Sequence, residues 1–262
     1  MPSTFILLPL EIEEKILDLL AEDDDDDHLA MKTCSLVCQA FLPICRKHIF
    51  GSIVLSDHGE IPLPTTHAFE RLLRETPEIA DYIRKLDYSI RVADSTSPTI
   101  QESLKRISRL EVLTIRRNIY NRPNFDWRRD PIRPALLHLL HLPTLTHFKV
   151  TEIKNFVLSD LIPCINLKYL EIGHHTIGAA EITFPAALPE DSIRLNEFVV
   201  KTGTAHAIMK LCTTRRPDGQ PLIDFSSLSK ITMTLEKPNE GAASQELFRR
   251  CQNLTYVHIF CK

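Results

Sequence analysis

The sequence predicts an α/β protein in two parts. A trio of short helices over residues 1–50 precedes an irregular solenoid of about eight parallel strands with outer helices, over residues 51–262. Three observations predict it: apolar residues recur at helical spacing near the start, a strand-like triplet recurs eight times after them, and amphipathic stretches separate the triplets. A chain of 262 residues can bury a sizeable core, and 44% hydrophobic with 25% charged residues excludes a disordered or fibrous chain.

From Pro9 the chain reads as a helix. Ile12, Ile16, Leu19 and Leu20 recur at helical spacing, with Glu11, Glu13, Glu14, Lys15 and Asp18 expected on the solvent side. Pro9 suits a first turn, where its missing N–H costs nothing. The aspartates Asp23–Asp27 repel one another and predict a solvated loop, without the turn glycine and ligand spacing of a calcium loop. A second helix is expected over about 28–37, with Leu29, Leu36 and Val37 inward. A third is expected over about 39–49, with Pro43 in its first turn. Cys34, Cys38, Cys45 and His48 invite a zinc reading, but closely spaced pairs on turns are missing, so core thiols are expected instead. Helices this short bury little by themselves and need a partner surface.

Four segments, in order and spacing, resemble an F-box. They are Leu8-Pro9-Leu10-Glu11-Ile12, Ile16-Leu17-(x2)-Leu20, Leu36-Val37-Cys38-(x2)-Phe41 and Arg46-(x2)-Ile49-Phe50. The Phe41-Leu42-Pro43 variant looks most like the large fungal F-box families. The resemblance covers residues 5–50; it departs in the Asp23–Asp27 insertion and in Phe41, where tryptophan is commoner. It implies docking onto the Skp-family adaptor, and through it a cullin, in an SCF-type ubiquitin ligase. Leu8, Pro9, Ile12, Ile16, Leu20, Leu36, Val37 and Phe41 would then be the adaptor-facing and helix-packing set, with anchors at a desolvated centre supplying most of the affinity.

Beyond the trio one template recurs, apolar-x-x-apolar-x-apolar. Its copies begin at Phe50, Ile83, Leu110, Leu145, Leu167, Leu195, Leu228 and Leu254, spaced about 29 residues apart on average. The last two apolar positions alternate with polar ones, the period of a half-buried strand. Between copies, Phe69, Leu72 and Leu73, then Ile100, Leu104 and Ile107, then Ala135, Leu136, Leu139 and Leu140 predict helices. Strand, turn and helix repeated in this way stack as parallel neighbours, and the region resembles the leucine-rich-repeat arrays of F-box substrate receptors. Only the copy at Leu110 reaches that family's turn asparagine, Asn118, so the other turns must be satisfied by different groups. Residues 176–192, with Pro185 and Pro189, predict no helix. The eighth strand ends close to Lys262, which predicts an uncapped edge or a shortened family member.

Alternate strand positions line one face. Lys85, Asp87, Arg116, His147, Lys149, Tyr169, Glu171, Glu197, Lys201, Lys230, Tyr256 and His258 fall there, a mixed and modestly basic surface suited to a protein partner. Arg116, Arg117, Arg122, Arg128, Arg129 and Arg133 beside Tyr120, Phe125 and Trp127 form a second candidate, since arginine forks next to rings suit an anionic or phosphorylated segment. Contacts to an unknown target protein are therefore expected from Lys85, Arg116, Lys149, Tyr169, Lys201, Lys230, Tyr256, Arg128, Arg129 and Trp127.

Other function classes are disfavoured. Seven glycines supply no phosphate-cradling motif, and no His-Glu-x-x-His or Gly-x-Ser-x-Gly occurs. His138, His141, His174 and His175 have no carboxylate or cysteine at a telling spacing, so neither catalysis nor a cofactor or metal is expected. A net charge of −3 argues against nucleic acid and membrane surfaces, although acids concentrate in residues 1–50. Phe5–Leu8 is too short and lacks the basic flank of a secretory leader, and no apolar run has membrane-spanning length. Seven cysteines without framework spacing fit a cytoplasmic or nuclear setting. The expected role is a non-catalytic substrate receptor; the alternative is a repeat scaffold that recruits no ligase.

Overall fold

The computed structural model describes residues 9–22, 28–55, 66–91, 93–117, 126–173, 184, 188–201, 205–236 and 238–261. It is an α/β structure. The chain opens with α1 (Leu10–Glu22), α2 (Leu29–Cys34) and α3 (Phe41–Phe50), and continues through β1 (Ser52–Leu55), α4 (Thr66–Glu75), β2 (Lys85–Ile90), α5 (Pro98–Arg106) and β3 (Val112–Arg117). Next come α6 (Arg133–Leu140), β4 (His147–Thr151), β5 (Tyr169–Ile172), β6 (Ile193–Arg194), β7 (Glu197–Val200) and α7 (Ala205–Thr213). The last elements are β8 (Ile223–Asp224), β9 (Lys230–Leu235), α8 (Pro238–Phe248) and β10 (Tyr256–Cys261). Strands β1, β2, β3, β4, β5, β7, β9 and β10 form one sheet in chain order, every pair parallel, while β6 and β8 pair with each other.

The template explains the register. Ile53, Leu86, Leu113, Phe148, Leu170, Phe198, Ile231 and Val257 align as one row across the sheet. Leu55, Tyr88, Ile115, Val150, Ile172, Val200, Met233 and Ile259 align as a second. These are the second and third apolar positions of all eight copies. The first positions from Ile83 to Leu228 are all buried, anchoring each strand at its entry whatever the length of the preceding connection. A one-residue slip would turn these side chains to the wrong face.

Each entry is also fixed by a backbone step. The N–H groups of Arg84 and Lys85 both donate to the carbonyl of Gly51, those of Glu111 and Val112 to Arg84, and those of Thr146 and His147 to Glu111. The same step recurs on the carbonyls of Thr146, Lys168, Asn196 and Ser229. Polar side chains just before the first apolar position reinforce it: Thr144 donates to the Leu110 carbonyl at 2.7 Å, Asn166 to Pro143 at 2.9 Å, Ser227 to Leu195 at 3.2 Å and Asn253 to Ser226 at 2.9 Å. These are groups that satisfy the turns in place of an asparagine ladder; Asn118 itself lies outside the described residues.

The expected helices behind the strands form, with Phe69 and Leu73, Ile100 and Leu104, and Ala135, Leu136, Leu139 and Leu140 buried on α4, α5 and α6. Ser97 caps α5 by accepting from the Ile100 N–H, and Pro98 opens its first turn. These side chains share one continuous core with the strand rows, whereas Leu17, Met31, Ile44 and Cys45 form a separate small core within the trio. There the expectation for α2 is corrected. The helix ends at Cys34 after six residues, Met31 alone is buried on it, and Leu29, Leu36 and Val37 are exposed. Leu36 and Val37 stand past the helix end, in a turn closed by their N–H bonds to the carbonyls of Thr33 and Cys34.

Candidate functional site

Two surfaces merit attention, and the first is the trio. Helix α1 packs against α3 through Leu17 and Ala21. On the same side, Asp18 Oδ1 lies 2.6 Å from His48 Nε2, and Lys47 Nζ lies 3.4 Å from both Glu14 and Asp18. Burial works against ionising Asp18, but His48 and Lys47 hold its carboxyl below the ordinary range. Two of the carboxylates expected on the solvent side, Glu14 and Asp18, thus pair with cations of α3, while Glu11 is exposed as expected. The apolar stripe faces out: Ile12 is 45% exposed and Ile16 51%, with Leu19 and Leu20 beside them. Leu29, Leu36 and Val37 are exposed elsewhere in the trio, Leu10 is exposed on the side of Pro43 and Lys47, and Pro9 is exposed as well. Exposed apolar side chains are thus concentrated in this short segment. Phe41 is half-buried and packs on the trio core, so its side chain serves helix packing. Leu8 and Asp23–Asp27 lie outside the described residues.

The second surface is the polar face of the sheet, where the expected positions of β2 to β10 come together. Arg116 grips Asp87 with two nitrogens, the Nε bond being 2.8 Å. Lys201 Nζ lies 2.6 Å from Glu171 Oε1, Tyr169 donates its hydroxyl to Glu171 Oε2 at 2.8 Å, and Lys149 stands 3.8 Å from the same carboxylate. Lys230 pairs with Glu197 at 2.9 Å. Rings lie beneath the lysines, Lys149 being 5.3 Å from the Tyr169 ring centre and Lys230 5.6 Å from that of Tyr256, while His147 stacks on Tyr169 at 5.5 Å. Lys85 is exposed at the start of β2.

Glu171 is buried rather than open to solvent, because Tyr169 and the lysines close over it. Burial pulls its pKa up, but hydrogen bonds from Lys201 and Tyr169 and the charge of Lys149 outweigh that and leave it below its ordinary 4.5. Burial and the Glu171 carboxylate push the Tyr169 hydroxyl far above its usual range. A depressed carboxylate stabilises the fold above its unfolded pKa, and that contribution fades as pH falls through the folded value. Glu171→Gln is therefore expected to cost about 1–2 kcal/mol at neutral pH. Denaturation midpoints measured against pH should show the gap from the native chain closing as pH drops below about 5.

Among the described residues, the arginine-rich segment is divided between buried and exposed positions. Trp127, expected to contact a target, is fully buried: its Nε1 donates to Asp160 Oδ2 at 2.7 Å and its ring centre lies 5.0 Å from that of Phe156. An indole that finds both an apolar bed and an acceptor inside the fold has no face left for a partner. Arg133 donates to Asp160 Oδ1 at 2.8 Å and Arg116 is held by Asp87, so their forks are occupied far apart. Arg128 and Arg129 are exposed, and Arg117 is buried. Tyr120, Arg122 and Phe125 lie outside the described residues.

Asp160 and Asp94 are among the buried carboxylates that sequence reasoning missed. Asp160 serves Trp127 and Arg133, and Asp94 accepts from the Tyr88 hydroxyl at 2.8 Å, the Arg91 N–H at 3.0 Å and Thr66 at 3.3 Å. Both sit in short 3-10 turns, Leu158–Leu161 and Ala93–Thr96, which carry no periodic signal. His138 and His141 bond to the carbonyls of Ile107 and Asp160 and are structural; His174 and His175 are not described. Among the described residues no three His, Cys, Asp or Glu side chains gather as metal ligands, and no helix is long and apolar enough to cross a membrane. Strand β10 is exposed along its whole length, including Tyr256, Val257, Ile259 and Phe260.

No family model matches this sequence, and no curated protein matches it.

Proposed function

We propose that this chain is a non-catalytic substrate receptor of an SCF-type ubiquitin ligase. On this reading α1–α3 are an F-box that docks a Skp-family adaptor and through it a cullin. The strands and helices that follow are an irregular leucine-rich-repeat-like solenoid that holds a target protein, in the cytoplasm or nucleus. The observation that carries the reading is the uncovered stripe Ile12, Ile16, Leu19 and Leu20, with Leu36 and Val37 exposed in the same trio. A chain gains nothing by presenting that surface to water unless another protein covers it. Eight parallel strands in chain order with one shared register support the solenoid reading. The receptor's work is proximity: it raises the effective concentration of the target near a transfer reaction performed by other subunits.

Capture of the adaptor from cells tests this directly. The native chain should co-purify with a Skp-family adaptor, and Ile12→Asp/Val37→Asp should lower the yield by at least about tenfold, as hot-spot losses do. Both residues are exposed, so the change leaves the trio core intact; Phe41→Ala would not. Equal capture by the double variant would count heavily against the ligase reading. One observation favours the scaffold alternative. Arg46 of α3 bonds Glu78 at 3.3 Å and Phe50 packs on the sheet core, so the trio also caps the first strand. A folded chain that captures no adaptor would leave that role alone.

A further inference from the structure

Strand β10 departs from its neighbour. Val257 and Ile259 hold the template positions of Ile231 and Met233 on β9, which are fully buried, yet they are 45% and 41% exposed. On the other face Tyr256 and Phe260 are 49% and 47% exposed, and the His258 ring lies between them, 6.2 Å from the first and 4.1 Å from the second. Strand β10 pairs with β9, and among the described residues no strand lies along its other side. The backbone groups on that side follow from the pairing. The Tyr256 N–H donates to the Ser229 carbonyl, and along a strand the bonding groups alternate from side to side. Those of His258 and Phe260 therefore also face β9, while the N–H and C=O of Val257 and Ile259 face outward. From Tyr256 to Phe260 there is no lysine, arginine, acid or proline, the usual devices that keep an edge from pairing.

We propose that β10 is a homodimer interface, pairing antiparallel with β10 of a second copy about a two-fold axis at His258. The order of residues selects that occupant. Outward from His258 the strand is alike in both directions: a β-branched residue, Val257 or Ile259, then an aromatic one, Tyr256 or Phe260. Pairing centred on His258 sets Val257 opposite the partner's Ile259 and Tyr256 opposite the partner's Phe260. The backbone agrees with that register. Val257 and Ile259, whose N–H and C=O face outward, fall at hydrogen-bonded positions. Tyr256 and Phe260 fall at non-hydrogen-bonded positions, where side chains approach most closely. A slip of one residue would set outward groups against inward ones, and a slip of two would break the matching of like with like. Aromatic and β-branched cross-strand pairs are among the stabilising ones. Each edge satisfies the other, so the assembly closes at two chains. The inference needs neither adaptor nor target and stands apart from the receptor reading.

Sedimentation equilibrium on the full chain tests this, at up to about 100 μM so that a micromolar dimer is populated. A monomer–dimer equilibrium is expected. His258→Lys should weaken it at least about tenfold, because two ammonium groups would then face each other across the axis. His258 is exposed, so this variant should keep the circular dichroism spectrum of the native chain. His258→Cys reports on the register. Opposed residues at a non-hydrogen-bonded position have Cα atoms about 4.5 Å apart, within disulfide reach, so mild oxidation should link two chains through position 258. Tyr256→Cys, set opposite the partner's Phe260, should give no such link; peptide mass mapping reads both. The proposal is overturned if the native chain stays monomeric throughout, if species larger than a dimer grow with concentration, if His258→Lys associates as tightly as the native chain, or if His258→Cys links no more readily than Tyr256→Cys.

Discussion

Asp160→Ala is expected to lower the stability of the fold by about 2–4 kcal/mol, the cost of stranding a buried indole donor and breaking a partly buried charged pair. Its carboxylate accepts from the indole of Trp127 and from Arg133, and the fully buried indole has no water to turn to once the acceptor is gone. The His141 bond should survive, because it goes to the Asp160 backbone carbonyl. Asp160→Asn should cost roughly half as much, keeping an acceptor for the indole while losing the charge opposite Arg133. Trp127 is the chain's single tryptophan, so denaturant unfolding followed by its fluorescence reports on this contact directly. A midpoint for Asp160→Ala equal to that of the native chain would contradict the assignment.

Phe148→Ala should cost about 3–5 kcal/mol for a different reason, the cavity left in a packed interior. Phe148 is fully buried in the middle of the sheet, between Leu113 and Leu170 in its row, with its ring centre 5.8 Å from that of Phe156. Val257→Ala alters the same template position on β10, where the side chain is 45% exposed, and should change stability by no more than about 0.5 kcal/mol. Chemical denaturation of the two variants separates burial from mere membership of the pattern; equal losses would show that the pattern alone carries the energy. Because Phe156 touches both Phe148 and Trp127, combining Phe148→Ala with Asp160→Ala should cost less than the two separate losses taken together.

The strand register was legible in the sequence because it depends on local alternation and, from Ile83 to Leu228, on one deeply buried leucine or isoleucine per unit. Both are written within six residues. The orientation of α1 was not legible. Its inward face carries Leu17 and Ala21, flanked by Asp18, whose partners Lys47 and His48 stand about thirty positions later. Trp127 misled for a related reason: an aromatic residue among arginines reads alike whether its acceptor is a partner or Asp160. The polar face of the sheet was placed correctly by alternation, yet alternation says nothing of depth. Whether Glu171 stands above its lysines or beneath them depends on three strands at once.

The repeated seating of each strand on a single carbonyl of its predecessor has an evolutionary consequence. Each joint is the same from Gly51 to Ser229 and consults only its immediate neighbour. A gene of this kind can gain or lose whole units by unequal crossing-over with only one seam to heal. An arrangement so built could change the breadth of its polar sheet face without a new fold beneath it.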